Sequence, residues 1–437
     1  MPMVRLRLLV VGVCATLVAG CSAGGNMSTD GGGTGGGSTG GGGNNATTVM
    51  ITFIGPSMPG LVAAQVGTGA FAAEALSGSV LTLSIPSGTS NYSVAFLCPA
   101  LGTGQSSSQF EYVWEASIVD GTSLTFACAY PQSETPTLSG SLNATAIPGV
   151  TAFQINAQSG TSLGEGGGGF SGGPTGNFNV PAPTGSDRVL VLANGNQGNG
   201  PLAAKNYDNQ AVPGTLNSGN TVVFGTTDET TPEPITYNDV PSGFKSPSTN
   251  IWLGMGGTAL QYTYASDATT QYLALPASAS EQGDVYILDA SASSTNLPSS
   301  VNTEIVSSGG PVSFTFPPPW NYATPTPAAL PSFAMDYTGF SGEANVAQNA
   351  WIFWKPGNGG DSTENIQVEA TANYQSGSTT LAIPDLSSLA GFFAPPLSGT
   401  VVEWTIWMQQ QSWSLTAETR PNGTLSEVSN GGQYTVP

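Results

Sequence analysis

The 437-residue chain has no histidine, and only 7 of its residues are Lys or Arg against 27 Asp or Glu. Without imidazole there is no Ser-His-Asp triad, no histidine general base and no histidine-ligated zinc, copper or haem. So few cations cannot track a phosphate backbone, which removes nucleic acid as a partner. Charged residues of both signs make up 8%, against roughly 25% in an average soluble domain, and the formal charge is −20. Cysteine is scarce at four. No apolar run reaches the ~18 residues of a membrane-spanning helix. Glycine (59) and proline (32) are plentiful, about a fifth of the chain, yet short of the ~25–30% that marks wholly disordered sequence. With 39% hydrophobic residues the chain can build cores, and at ~100–200 residues per domain its length implies two to four of them.

The first twenty residues read as an export signal. Arg5 and Arg7 give the positive start, and Leu8 to Val18 an apolar stretch too short, at ~1.5 Å per residue, to span a ~30 Å hydrocarbon core. The stretch ends in Leu17-Val18-Ala19-Gly20-Cys21, which resembles the lipobox of bacterial lipoproteins. That resemblance implies cleavage before Cys21, a diacylglycerol on its thiol and a third acyl chain on its amine. Two or three chains, at ~0.8 kcal/mol per buried CH₂, hold a protein on a bilayer essentially permanently. Ser22, in place of Asp, implies sorting to the outer membrane in that family. The other reading is an ordinary secretory peptide that contains a cysteine. Processing would leave five basic residues and a formal charge of −22. Residues 21–45, the lipidated Cys and a Gly/Ser run, read as a flexible tether with an r.m.s. reach on the order of 25–30 Å.

Beyond residue 46 the hydrophobic period is two. Val80-Leu81-Thr82-Leu83-Ser84-Ile85 passes through Pro86 and Gly88 to Tyr92-Ser93-Val94-Ala95-Phe96. The same strand–proline–turn–strand pattern recurs at Phe178 to Leu192, at Leu273 to Leu288 and at Leu381 to Ile406. Proline ends each ladder because it has no N–H, and glycine permits the turn. An all-β fold follows: a string of three or four β-sandwich domains of immunoglobulin, fibronectin III or transthyretin-like type, at 46–134, 135–231, 232–316 and 317–437. Pro317-Pro318-Pro319, Pro325, Pro327 and Pro331 read as a stiff extended spacer. Glu343 to Ala350 and Asp385 to Ala390 are the helical candidates. Leu138 to Leu142 with Gly176 to Pro181 is similar to the transthyretin-like regulatory domain of carboxypeptidases. Ala64 to Phe71, the Leu81 strand, Leu275-Pro276 and Phe316 to Pro319 together look like uncharacterised secreted bacterial lipoproteins, which implies an exported β-rich body.

Cys14 leaves with the signal and Cys21 is the lipidation site, so Cys98 and Cys128 remain. Alternation places Cys98 on one face with Tyr92, Val94 and Phe96, and Cys128 with Leu124 and Phe126. On neighbouring strands in an oxidising compartment the two thiols should pair, for roughly 3–4 kcal/mol in the chain-entropy model. Two buried free thiols are the alternative, and a metal site lacks further ligands.

Gly160-Thr161-Ser162-Leu163-Gly164 has the spacing of a nucleophile elbow but no histidine to serve it, and Ser242-Gly243-Phe244-Lys245 sits between prolines with no helix to open. Asp228, Glu229 and Glu233 cluster among Thr and Pro, as solvated charges do. No catalytic or metal residues are assigned and no cofactor is expected, although calcium on clustered carboxylates stays open. The aromatic residues of the last unit are the binding hint. Trp351, Phe353 and Lys355 share one strand face. Val402, Trp404, Ile406 and Met408 make an inward stripe that leaves Glu403, Thr405 and Trp407 outward. Trp351, Trp407 and Glu403 are therefore the candidate ligand-binding residues, suited to stacking a flat sugar face, unless Trp407 and Trp413 cap a sandwich edge. The sequence thus points to a non-enzymatic, membrane-anchored lipoprotein of the outer membrane or cell surface. Its partners would be the bilayer, through acylated Cys21, and a polysaccharide or envelope protein; structural spacing is a further role. The alternative is a carbohydrate-active enzyme using two carboxylates.

Overall fold

The computed structural model describes residues 46–54, 58–101, 108–127, 136–159, 162–166, 173–195, 200–255, 258–265, 269–294, 299–322, 324–340, 345–355, 363–412 and 423–437. The described chain is all-β, as the alternation predicts, and its strands fall into four successive groups. The first group holds β1 (Thr47–Ile54), β2 (Leu61–Val66), β3 (Ala72–Ala73), β4 (Val80–Ile85), β5 (Asn91–Leu101), β6 (Ser108–Ser117) and β7 (Ser123–Ala127). The second holds β8 (Thr137–Asn143), β9 (Val150–Ser159), β10 (Ser162–Gly166), β11 (Thr175–Pro181), β12 (Ser186–Gly195), β13 (Pro201–Gln210), β14 (Gly214–Thr215) and β15 (Val222–Val223). The third holds β16 (Thr231–Asn238), β17 (Ser248–Met255), β18 (Thr258–Ala265), β19 (Gln271–Ala274), β20 (Val285–Ser293), β21 (Ser299–Ser307) and β22 (Val312–Thr315). The fourth holds β23 (Ser332–Ala334), β24 (Val346–Trp354), β25 (Thr363–Thr371), the short helix α1 (Ala372–Gln375), β26 (Thr380–Ala382), β27 (Val401–Gln411) and β28 (Gly423–Thr435).

One wiring repeats. The first strand of each group pairs antiparallel with the fourth, and in the first three groups it also pairs parallel with the seventh, giving β4-β1-β7, β11-β8-β14 and β19-β16-β22. The opposing sheet always runs third-second-fifth-sixth. The strand–proline–turn–strand pattern is the step from fourth to fifth strand, where the chain changes sheet, and Pro86, Pro181, Pro276 and Pro384 stand at that step.

The groups are not separate beads. The opposing sheets of groups three, four and one join into a single 12-stranded sheet, β18-β17-β20-β21-β28-β27-β24-β25-β6-β5-β2-β3. Antiparallel pairing of β21 with β28 makes one seam, and parallel pairing of β25 with β6 makes the other. Joining sheets this way satisfies edge N–H and C=O groups that would otherwise invite pairing with other chains. Tyr92, Val94, Phe96 and Trp114 face the group-one core, whereas Ala95 and Val113 face a larger core shared with groups three and four. The group-one sheet β4-β1-β7 therefore covers one side of the fused sheet, and the front sheets of groups three and four cover the other. Strand β12 is likewise buried on both faces: Val189 and Val191 fill the group-two core, while Leu190 and Leu192 pack into the shared one.

Three expectations need correction. Residues 346–350 are strand and 385–390 contain no helix, because the neighbouring strands β25 and β27 supply ladder partners to 346–350, and Pro384 and Pro395 confine the second segment to turns. The proline run after β22 is extended but not free. Trp320 is 4% exposed, its carbonyl accepts from Asn430 Nδ2 at 2.9 Å, and Tyr322 packs on Trp404 with ring centroids 5.7 Å apart. Ala334 N, on the edge of β23, donates to the Tyr322 hydroxyl at 3.1 Å, which ties this strap to the first strand of group four. Finally, β5 and β7, the strands leading to Cys98 and Cys128, lie in opposed sheets rather than side by side.

Candidate functional site

Strands β24 and β27 bury alternate residues. Ala350, Ile352 and Trp354 of one and Val402, Trp404, Ile406 and Met408 of the other fill the shared core. Their odd-numbered residues turn to the opposite side of the fused sheet. The register sets Glu403 beside Phe353, Thr405 beside Trp351 and Trp407 beside Asn349. On the next strand Gln367 lies beside Trp351 and Glu369 beside Asn349. The three residues chosen from sequence, Trp351, Trp407 and Glu403, therefore share one outer face. Both tryptophans are half-buried and Glu403 is exposed.

The strip is internally ordered. Trp351 and Phe353 have ring centroids 5.2 Å apart. With the Asn349 amide turned so that its oxygen faces the indole, Trp407 Nε1 donates to that oxygen at 3.2 Å and the amide nitrogen donates to Glu369 at 3.2 Å. Gln409 Nε2 reaches the other Glu369 oxygen at 3.4 Å. Burial pushes the Glu369 carboxyl up to about 7. Aromatic rings edged by amides and one exposed carboxylate are a surface that can stack a sugar ring and hydrogen-bond its hydroxyls.

The other sequence candidates are scattered. Cys21, Cys128 and Trp413 lie outside the described residues. Cys98 is on β5, 3% exposed within the group-one core. Asp228 is not a solvated charge: it is 5% exposed, accepts from Gly225 N at 2.7 Å and pairs with Lys205 at 3.0 Å. That neutralised capping role separates it from Glu229 and Glu233. Ser242 and Lys245 sit on an exposed turn whose Lys245 N donates to Ser293 O. Ser162 is on β10, while Gly160 and Thr161 lie outside the described residues. Among the described residues no group of three His, Cys, Asp or Glu is placed to hold a metal.

Sequence reading missed two polar constructions. Arg188, 4% exposed on β12, donates to both Asp284 oxygens at 2.6 and 2.8 Å, to Ala279 O at 2.8 Å and to Asn206 at 2.9 Å, tying group two to group three. At the β6–β25 seam Asp120 accepts from Thr371 at 2.5 Å and Asn373 at 2.6 Å, and Glu111 accepts from Phe393 N at 3.1 Å. Burial pushes both Glu111 and Glu115 up to about 7. The available signal was rarity: a chain with only 7 Lys or Arg residues placed Arg188 directly before the apolar run Val189-Leu190-Val191-Leu192.

No family model and no curated protein matches the chain. Among solved structures, one described as "Ca2+-stabilized adhesin helps an Antarctic bacterium reach out and bind ice" is similar over 89% of this chain and 98% of that one, at 8% identity and a TM-score of 0.12. So low a score carries no argument about this protein. Among the described residues no helix is long and apolar enough to cross a membrane.

Proposed function

We propose that this chain is a non-enzymatic envelope lipoprotein, held to a bilayer through acylated Cys21, whose fused sheet presents Trp351, Trp407 and Glu403 to a neutral polysaccharide. The observation that carries the binding half is the convergence of those three residues, with Phe353, Gln367 and Asn349, on the face of the fused sheet opposite the shared core. A charge of −20 disfavours anionic polymers and leaves neutral ones. A glycan array probed with the full chain and with Trp407→Ala tests it. Binding of a neutral glycan that falls at least tenfold in the variant is expected; no binding, or binding indifferent to the change, sinks it.

The anchor rests on Leu17 to Cys21 and has its own measurement. Mass spectrometry of the N-terminal peptide should find Cys21 carrying acyl chains, and a free amine at any other residue refutes the assignment. We further pair Cys98 with Cys128. In support, Cys98 is disulfide-bonded. Phe96 and Phe126, each two residues before its cysteine in the sequence, pack with ring centroids 5.0 Å apart across the group-one core. The bond would join the opposed sheets of that sandwich.

A further inference from the structure

On the side of the fused sheet opposite Trp351 and Trp407, a cleft of about 560 Å³ opens where groups three and four meet. Its floor is the β21–β28 seam, with Thr303 beside Ser426 and Ile305 beside Thr424. The proline run 317–319 forms one wall, and Phe340 and Asp239 line it from separate loops. The walls are braced. Tyr337 donates to Pro318 O at 2.8 Å and holds the Phe340 ring edge-on at 4.9 Å, while Thr303 donates to Thr315 O at 2.9 Å.

The chemistry of that lining narrows the occupant. Both seam strands spend their ladder groups on each other and on their outer neighbours β20 and β27, so no backbone edge is left for an added peptide strand. The hydroxyls of Thr424 and Ser426 lie on the floor, and each can donate and accept. No lining residue is cationic and one, Asp239, is acidic, which disfavours an anion. Flat proline and phenyl faces beside two-way hydroxyls suit saccharide rings, and the volume lies within the ~300–1,000 Å³ of ligand sites.

We propose that this cleft between groups three and four binds a neutral oligosaccharide, with Phe340 as the stacking face and Thr424 and Ser426 as the hydrogen-bonding floor. The proposal does not depend on the outer-face strip. Calorimetric titration of the full chain with linear hexasaccharides of β-1,4-glucan, α-1,4-glucan and β-1,4-mannan tests it. At least one hexasaccharide should bind, and both Phe340→Ala and the double variant Thr424→Val/Ser426→Ala should weaken it at least tenfold. The double variant nearly conserves volume, so it carries the test if Phe340→Ala unfolds. Failure of all three sugars to bind, or binding that survives the double variant, overturns the proposal. Binding abolished by Trp407→Ala but indifferent to the cleft variants also overturns it and assigns the sugar to the outer face.

Discussion

Replacing Arg188 with Met is expected to destabilise the protein by roughly 3–5 kcal/mol, the cost of leaving one member of a buried ion pair behind. Asp284 is the buried group left behind; Glu281, which meets Arg188 Nε at 3.0 Å, is exposed and stays solvated. The Asp284 side chain is 8% exposed and its two oxygens receive the guanidinium at 2.6 and 2.8 Å. The Ala279 carbonyl and the Asn206 side chain also lose their donor. The loss falls where Leu190 and Leu192 of group two pack into the shared core with Leu275 and Ala279, so groups two and three should uncouple as well as weaken. Denaturant titration should show an earlier and less cooperative transition for Arg188→Met. Arg188→Met/Asp284→Leu should recover most of the loss, because no buried charge is then stranded. A double variant as unstable as the single one would mean that shape, not charge, makes this joint.

Much of the fold was legible because alternation and proline placement are local. Tyr92 to Phe96, Val189 to Leu192 and Val285 to Leu288 all read as strands, and Pro86, Pro181, Pro276 and Pro384 marked the step between sheets in every group. The fusion of the sheets was not legible as alternation, since it depends on pairings such as Gln367 with Tyr112, some 250 residues apart. A trace of it was present. Val189-Leu190-Val191-Leu192 is apolar at every position, as a strand buried on both faces must be. The proline run 317–331 was misread for the opposite reason: composition reports stiffness, while Trp320 and Tyr322 decide that the run packs. At the candidate site, alternation alone put Trp407 and Glu403 on one face. The Asn349–Glu369 relay beneath them needed the β24–β25 register, which no spacing in the sequence discloses.

Raising the pH from 5 to 9 should destabilise the protein, reversing the usual behaviour of carboxylates. Glu111 is 1% and Glu115 9% exposed, on the strand that forms the seam with β25. Burial pushes both carboxyls from an ordinary 4.5 up to about 7; for Glu111 the Phe393 N–H opposes the rise, while Glu364 and Asp385 add to it, and for Glu115 the Tyr374 hydroxyl opposes it. The folded protein therefore holds protons that the unfolded chain has already released. A folded value above the unfolded one means the stabilisation is complete below about 4.5 and is lost as pH rises through about 7. Each shift corresponds to on the order of 3 kcal/mol at ~1.36 kcal/mol per unit. The half-buried Glu369, also raised to about 7, adds to the same slope. Cations that could have held these carboxyls ionised are scarce: Arg188 and Lys205 are already paired elsewhere. Denaturation midpoints measured from pH 5 to 9 should fall as pH rises through about 7 and then level off for the native sequence, and stay nearly level throughout for Glu111→Gln/Glu115→Gln/Glu369→Gln. A native-sequence midpoint that holds constant or climbs over that range would show that these carboxyls ionise at ordinary values, with water or the Phe393 and Tyr374 donors outweighing burial at the seam.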